Sequence, residues 1–128
     1  MSKIEKAQSM SITGILFAPT SFKLASLETL EDICNGCGAA NAKFDFVPDR
    51  IYGTCITYAC HIHDFMYNEG VTIEDKEEAD RVFLNNLLRL IDRDKHKFYK
   101  PTWLQRRRAK TYYQAVKYFG AVAYWSGK

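Results

Sequence analysis

Apolar residues recur at helical intervals most clearly in the middle of the chain. Ile56, Ala59, Cys60, His63, Met66 and Tyr67 are separated by three, four or seven positions, so they share one face of a helix over residues 56 to 68. Gly70 stands just past its end, where glycine favours helix termination. Thr72 then offers an N-cap for a long helix running to about residue 96. Its first turns carry Glu74, Asp75, Glu77 and Glu78, the sign that suits the positive end of a helix dipole. Further along, Phe83, Leu84, Leu87 and Ile91 form an apolar stripe at three, four, seven and eleven residues after Asp80. The pattern is weaker elsewhere. It predicts a short amphipathic helix over residues 6 to 17, a second over 24 to 33, a loop over 34 to 53, and a third long helix over 104 to 125. Pro19, Pro48 and Pro101 fall where helical spacing fails. The expected fold class is all-α, in a single domain over residues 1 to 128.

Two polar residues interrupt this pattern. His63 lies on the apolar face of the first helix, and Asp80 begins the apolar stripe of the second. A short connection makes these helices antiparallel neighbours. At about 1.5 Å per residue His63 lies roughly 10 Å before Gly70 and Asp80 roughly 12 Å after Thr72, so the two side chains are expected at similar height. Asp80 can then accept a hydrogen bond from one imidazole nitrogen and leave the other to take a proton from water. Tyr67, one turn after His63, can donate to the same carboxylate. Two buried polar groups matched to each other also fit a purely structural pair. His61 is two positions from His63, about 200° around the helix, and is read as a surface residue. His96 stands among Asp92, Arg93, Asp94, Lys95 and Lys97 and is read as part of a solvated charged turn.

Composition narrows the function classes. At 128 residues with 47% apolar and 14% aromatic content, the chain can bury a sizeable core. A net charge of +3 gives no argument for wholesale nucleic-acid binding, and no nucleic-acid partner is expected. The basic residues are concentrated late: Arg106, Arg107, Arg108 and Lys110 precede Tyr112, Tyr113, Tyr118, Phe119, Tyr124 and Trp125. Such a segment suits a phospholipid membrane surface, and equally suits a basic solvated face backed by an aromatic core stripe. No run approaches the 18 to 20 apolar residues of a spanning helix, so membrane contact is expected to be peripheral. The apolar stretch at residues 15 to 18 is too short for a secretory signal core. Cys34 and Cys37 form a C-x-x-C pair, but Cys55 and Cys60 have four residues between them, which disfavours a four-cysteine zinc site. Disulfides and simple burial stay open, as do compartment and oligomeric state.

The run Ala59-Cys60-His61-Ile62-His63-Asp64-Phe65-Met66-Tyr67 carries C-x-x-H-D-x-x-Y. It resembles the active-site helix of the secreted phospholipase A2 superfamily, including its compact prokaryotic and phage members. Ala79-Asp80-Arg81-Val82-Phe83-Leu84 is similar to the aspartate-bearing antiparallel helix of that family, and Cys34-Asn35-Gly36-Cys37-Gly38 to its glycine-containing calcium loop. The resemblance spans residues 34 to 91. It implies a phospholipase A2-like fold with two antiparallel active-site helices, a calcium loop and additional N- and C-terminal helices. It also implies calcium-dependent hydrolysis of the sn-2 ester of glycerophospholipids, with His63 as general base supported by Asp80 and Tyr67. Asp64 would bind Ca2+ together with Asn35, Gly36 and Gly38, and the Gly38 amide would stabilise the oxyanion. Cys37 would be bridged to Cys60, leaving Cys34 with Cys55, and Tyr112 or Tyr113 would be a second tyrosine reaching Asp80. Met66 and Ala59 replace cysteines found in many animal members, and the loop is separated from His63 by a longer insert. A calcium-requiring lipase with a disulfide suggests secretion and action outside a reducing cytosol. The rival expectation is a catalytically silent protein of this fold that binds through its basic aromatic C-terminal helix.

Overall fold

The computed structural model describes residues 2–34, 48–95, 101–126 and 128. Among these, seven helices and one two-stranded hairpin follow in the order α1 (Lys3–Ile12), α2 (Thr20–Leu24), α3 (Leu27–Ile33), β1 (Arg50–Ile51), β2 (Thr54–Cys55), α4 (Thr57–Glu69), α5 (Ile73–Arg93), α6 (Thr102–Phe119) and α7 (Ala121–Trp125). The protein is mostly helical, as its patterning predicts. The helix α5 packs against both α4 and α6, and α4 also packs against α1.

Local chemistry sets the ends of these elements. The helix α1 begins at Lys3 because the Ser2 hydroxyl accepts from the Glu5 amide, and the chain turns at Gly14 with φ of +86°. The predicted helix over residues 24 to 33 is observed as the shorter α3, since Ser26 caps its start by accepting from the Thr29 amide, and α2 ends just before it at Leu24. The hairpin begins inside the predicted loop and ends two residues beyond it, with Arg50 opposite Cys55 and Ile51 opposite Thr54. Its two turn residues, Tyr52 and Gly53, have φ of 46° and 95°, the positive values that a two-residue type I′ turn requires.

The connection between α4 and α5 is short and well capped. Thr72 and Asp75 form a reciprocal capping box, and the Asp75 carboxylate also accepts from the Val71 amide at 3.0 Å. Its exposed apolar neighbours are Val71 and Ile73. Gly70 is required here, because a Cβ would meet the Tyr124 ring atom Cε1 at 2.9 Å. That close approach lets the Tyr124 hydroxyl reach the Thr72 carbonyl.

The core runs along α4 and α5 and is closed by the N-terminal segment and α6. Phe22, Leu30, Ile56, Ile62, Leu87 and Ile91 are fully buried. Each such side chain contributes on the order of 1.5–3 kcal/mol of hydrophobic stabilisation. Two buried amides tie irregular backbone to this frame. Asn86 of α5 donates to the Phe17 carbonyl at 2.9 Å and accepts from the Phe17 amide at 2.8 Å. Gln105 of α6 donates to the Ile51 carbonyl at 3.1 Å and the Thr54 hydroxyl at 2.9 Å, which fixes the hairpin against α6. The predicted third long helix is interrupted at Gly120, after which α7 is re-aimed over the α4–α5 turn. No described helix is long and apolar enough to cross a membrane.

Candidate functional site

The helical phase that directs Cys60 and Tyr67 inward also turns His63 from α4 toward α5, where it meets Asp80. His63 Nε2 lies 2.8 Å from Asp80 Oδ1, and the Tyr67 hydroxyl donates to the same oxygen at 2.7 Å. The three side chains expected to converge therefore do so. His63 and Asp80 are each only 2% exposed. The imidazole packs against Phe83 with ring centres 4.7 Å apart, and against Tyr67 at 4.1 Å. With Nε2 committed to Asp80, Nδ1 is the nitrogen directed away from the carboxylate.

The second oxygen of Asp80 is held by a residue that the sequence pattern does not single out. Lys76 Nζ donates to Asp80 Oδ2 at 2.8 Å, and to the carbonyls of Val116 and Lys117 at 3.3 and 3.2 Å. This lysine is 3% exposed. It precedes Asp80 by four residues, the spacing of a helical ion pair, and that spacing was the available signal. Tyr112 and Tyr113, expected as candidates for this place, are half-buried on α6, and the bonds to Asp80 come from His63, Tyr67 and Lys76. A cavity of about 320 Å³ between α5 and α6 borders Lys76, Asp80, Tyr113 and Lys117 but not His63.

These contacts set the protonation states. Burial acts first on His63 and pushes its pKa below the ordinary histidine value, against the hydrogen bond and charge of Asp80. Burial alone would raise the Asp80 carboxyl, but the bonds and charge from His63, with those from Lys76 and Tyr67, hold it below the usual carboxylate range. Burial, followed by the Asp80 charge, raises the Tyr67 hydroxyl, which stays protonated and able to donate. The arrangement is a neutral imidazole oriented by an ionised carboxylate, the pairing a general base needs.

Asp64 follows His63 on α4 and is half-buried. Its carboxylate acts on the Cys34 thiol, whose pKa is pushed up to about 12 by burial first and by Asp64 second. Asp64 therefore stands near Cys34, the first residue of the segment expected as a calcium loop. An oxygen donor of this kind suits Ca2+, a hard cation. Asn35, Gly36 and Gly38, the other expected ligands and oxyanion donor, lie outside the described residues. Among the described residues no group of three or more His, Cys, Asp or Glu side chains converges as a metal cluster.

The cysteines correct one expectation. Cys60 is disulfide-bonded, while Cys34 and Cys55 are free thiols, so the pairing of Cys34 with Cys55 does not form. The Cys34 thiol at the end of α3 instead donates to the His61 carbonyl at 3.2 Å, and Cys55 sits on the hairpin beside Tyr58. Cys37 lies outside the described residues. His61 is a second correction: it is 6% exposed, packed inside, and its Nδ1 has no hydrogen-bond partner among the described residues. Helix phase placed it away from His63 correctly, but α1 and α3 cover that face. His96 lies outside the described residues.

The basic segment forms much of the solvent face of α6. Arg106, Arg107, Arg108 and Lys110 are exposed, as are Trp103 at one end and Tyr118, Phe119 and Val122 at the other. Residues 101 to 128 contain no acidic residue. Arg106 approaches Asp92 at 3.8 Å, and Arg108 donates to the Tyr52 hydroxyl at 3.3 Å. Tyr124, by contrast, belongs to the core. In comparisons with known proteins, the chain matches no family model, no curated protein and no solved structure.

Proposed function

We propose that the protein is a calcium-dependent carboxylic ester hydrolase of phospholipase A2-like fold that cleaves the sn-2 ester of glycerophospholipids at a membrane surface. The observation that carries this reading is the bond of 2.8 Å between His63 Nε2 and Asp80 Oδ1, with Tyr67 on the same oxygen and Asp64 next in sequence. The resemblance of residues 34 to 91 to that family supplies the reaction class.

In the proposed reaction His63 Nδ1 takes a proton from a water molecule as its oxygen attacks the sn-2 carbonyl carbon. Asp80 holds the Nε2–H tautomer and stabilises the imidazolium that forms; Tyr67 and Lys76 keep Asp80 ionised. His63 then returns the proton to the departing glycerol oxygen, giving a fatty acid and a lysophospholipid. Asp64 would hold the metal, with the segment at residues 35 to 38. Calcium, when bound, supplies a Lewis acid for the carbonyl oxygen. The exposed cations and aromatics of α6 and α7 suit an anionic lipid surface.

The test is fatty-acid release from mixed phospholipid vesicles with calcium and with chelator, comparing wild type with Asp64→Asn and His63→Ala. Release that needs calcium and is lost in both variants supports the hydrolase. Turnover in His63→Ala equal to wild type defeats the proposed base. The second reading, a silent lipid-binding protein, is favoured by the 2% exposure of His63. It predicts vesicle binding without release under any of these conditions.

A further inference from the structure

We infer that Lys76 is a positioning residue for the His63–Asp80 pair, holding the Asp80 carboxylate in register while fastening the C-terminal end of α6 to it. This deepens the hydrolase reading and rests on it for its kinetic consequence alone.

The argument begins with the freedom of an aspartate. Its terminal torsion is broad, so a carboxylate held at one oxygen can swing. Here Oδ1 receives His63 and Tyr67, and Oδ2 receives Lys76, so both oxygens are restrained from different directions. The lysine ammonium has three donors, and three acceptors surround it at 2.8, 3.2 and 3.3 Å. Charge neutralisation alone would need only the contact with Asp80. The other two bonds reach carbonyls in the last turn of α6, where the negative end of the helix dipole favours a cation.

The same helix end touches the site a second time. A Cβ at Gly120 would lie 2.6 Å from the Tyr67 hydroxyl. The absence of a side chain there gives Tyr67 the room from which it reaches Asp80. Lys76 and Gly120 thus make the end of α6 a wall against which the carboxylate is set. A lysine buried to 3% exposure is costly unless its charge is matched, and this one is matched by Asp80 and fully bonded.

The test compares the wild-type full chain with Lys76→Met, which keeps the stem and removes the charge, and Lys76→Gln, which keeps a donor. The first readout is the NMR signature of the His63 Nε2–H proton in the folded proteins. In wild type it is expected downfield and slow to exchange; in Lys76→Met it moves upfield and exchanges at least about tenfold faster, with Lys76→Gln between them. The second readout is kinetic: kcat falls about 10- to 100-fold, as for loss of other supporting contacts, while KM changes by less than about twofold. In an Asp80→Asn background Lys76→Met adds no further loss. Retention of the wild-type signature and kcat in both variants, with only the melting temperature lowered, overturns the inference. Loss of the signature in a protein whose wild type releases no fatty acid refutes the hydrolase and leaves the positioning role standing.

Discussion

His61 and His63 stand two residues apart on α4, both buried, and they meet opposite surroundings. His63 faces α5 and enters a network in which each oxygen of Asp80 has a donor and Lys76 has acceptors for all its protons. His61 faces the N-terminal helices. Among the described residues its Nδ1 has no hydrogen-bond partner, and one turn earlier the Thr57 hydroxyl is also buried without one. The difference teaches that burial of a histidine says little by itself. What converts a buried imidazole into a candidate base is a matched, ionised partner, because that fixes the tautomer and stabilises the charge the reaction creates. The His61 imidazole is held neutral: burial, followed by the Lys3 charge, lowers its pKa to about 4 against the weaker pull of the Asp49 carboxylate.

Four changes break or sharpen that contrast. Asp80→Ala should have the largest effect, since it removes the carboxylate that orients His63 and strands the Lys76 charge. Chemical denaturation should show a loss of about 3–5 kcal/mol. A loss below about 1 kcal/mol would mean that the lysine escapes to solvent and that the network is loose.

Acid should act next, through the His61 side. The folded pKa of about 4 lies below the ordinary 6.5, so the unfolded chain binds the proton more tightly in that interval. Stability is therefore fully present above pH 6.5 and is lost progressively as pH falls toward 4, by up to about 3 kcal/mol for this group. The lowered pKa of His63 works in the same direction. His61→Phe should flatten the decline measured by denaturant melts between these pH values, and an unchanged slope would show that His61 is hydrated in solution.

On the His63 side, Gly120→Ala should cost about 1–3 kcal/mol, because the new methyl meets the Tyr67 hydroxyl and the Val116 carbonyl. Thermal unfolding will measure it, and a silent substitution would mean that Tyr67 has room to spare. The smallest change is expected from Thr57→Val. Removing an unpartnered buried hydroxyl at constant shape should be neutral or stabilise by up to about 1 kcal/mol, whereas a clear loss would reveal a bound water serving both Thr57 and His61.

How much of this was readable beforehand follows from which contacts are local. The face of α4 that carries His63 and the stripe of α5 that carries Asp80 were visible as intervals of three and four, because helix geometry ties sequence spacing to direction. The capping of α5 was visible for the same reason, since Thr72 and Asp75 bond within one turn. Lys76 was not singled out, although its spacing to Asp80 was present, because its other two acceptors are 40 and 41 residues away in the chain. The burial of His61 was missed on similar grounds: spacing gives the direction of a side chain, and says nothing about whether another helix covers it. The free thiols of Cys34 and Cys55 could not be told from a disulfide by counting cysteines, because bonding depends on separation in space.

From the sequence alone came the helical class, the antiparallel pairing of α4 with α5, and the meeting of His63, Tyr67 and Asp80 at one height. Periodicity and a short capped turn are enough for those, since each is a consequence of local backbone geometry. Tertiary structure alone decided that α6 ends against Lys76, that Gly120 breaks the last long helix and makes room for Tyr67, and that α1 and α3 cover the His61 face. Those outcomes depend on which surfaces meet across distant segments, where burial and the need to satisfy every buried donor and acceptor select one packing, and no interval in the sequence encodes them.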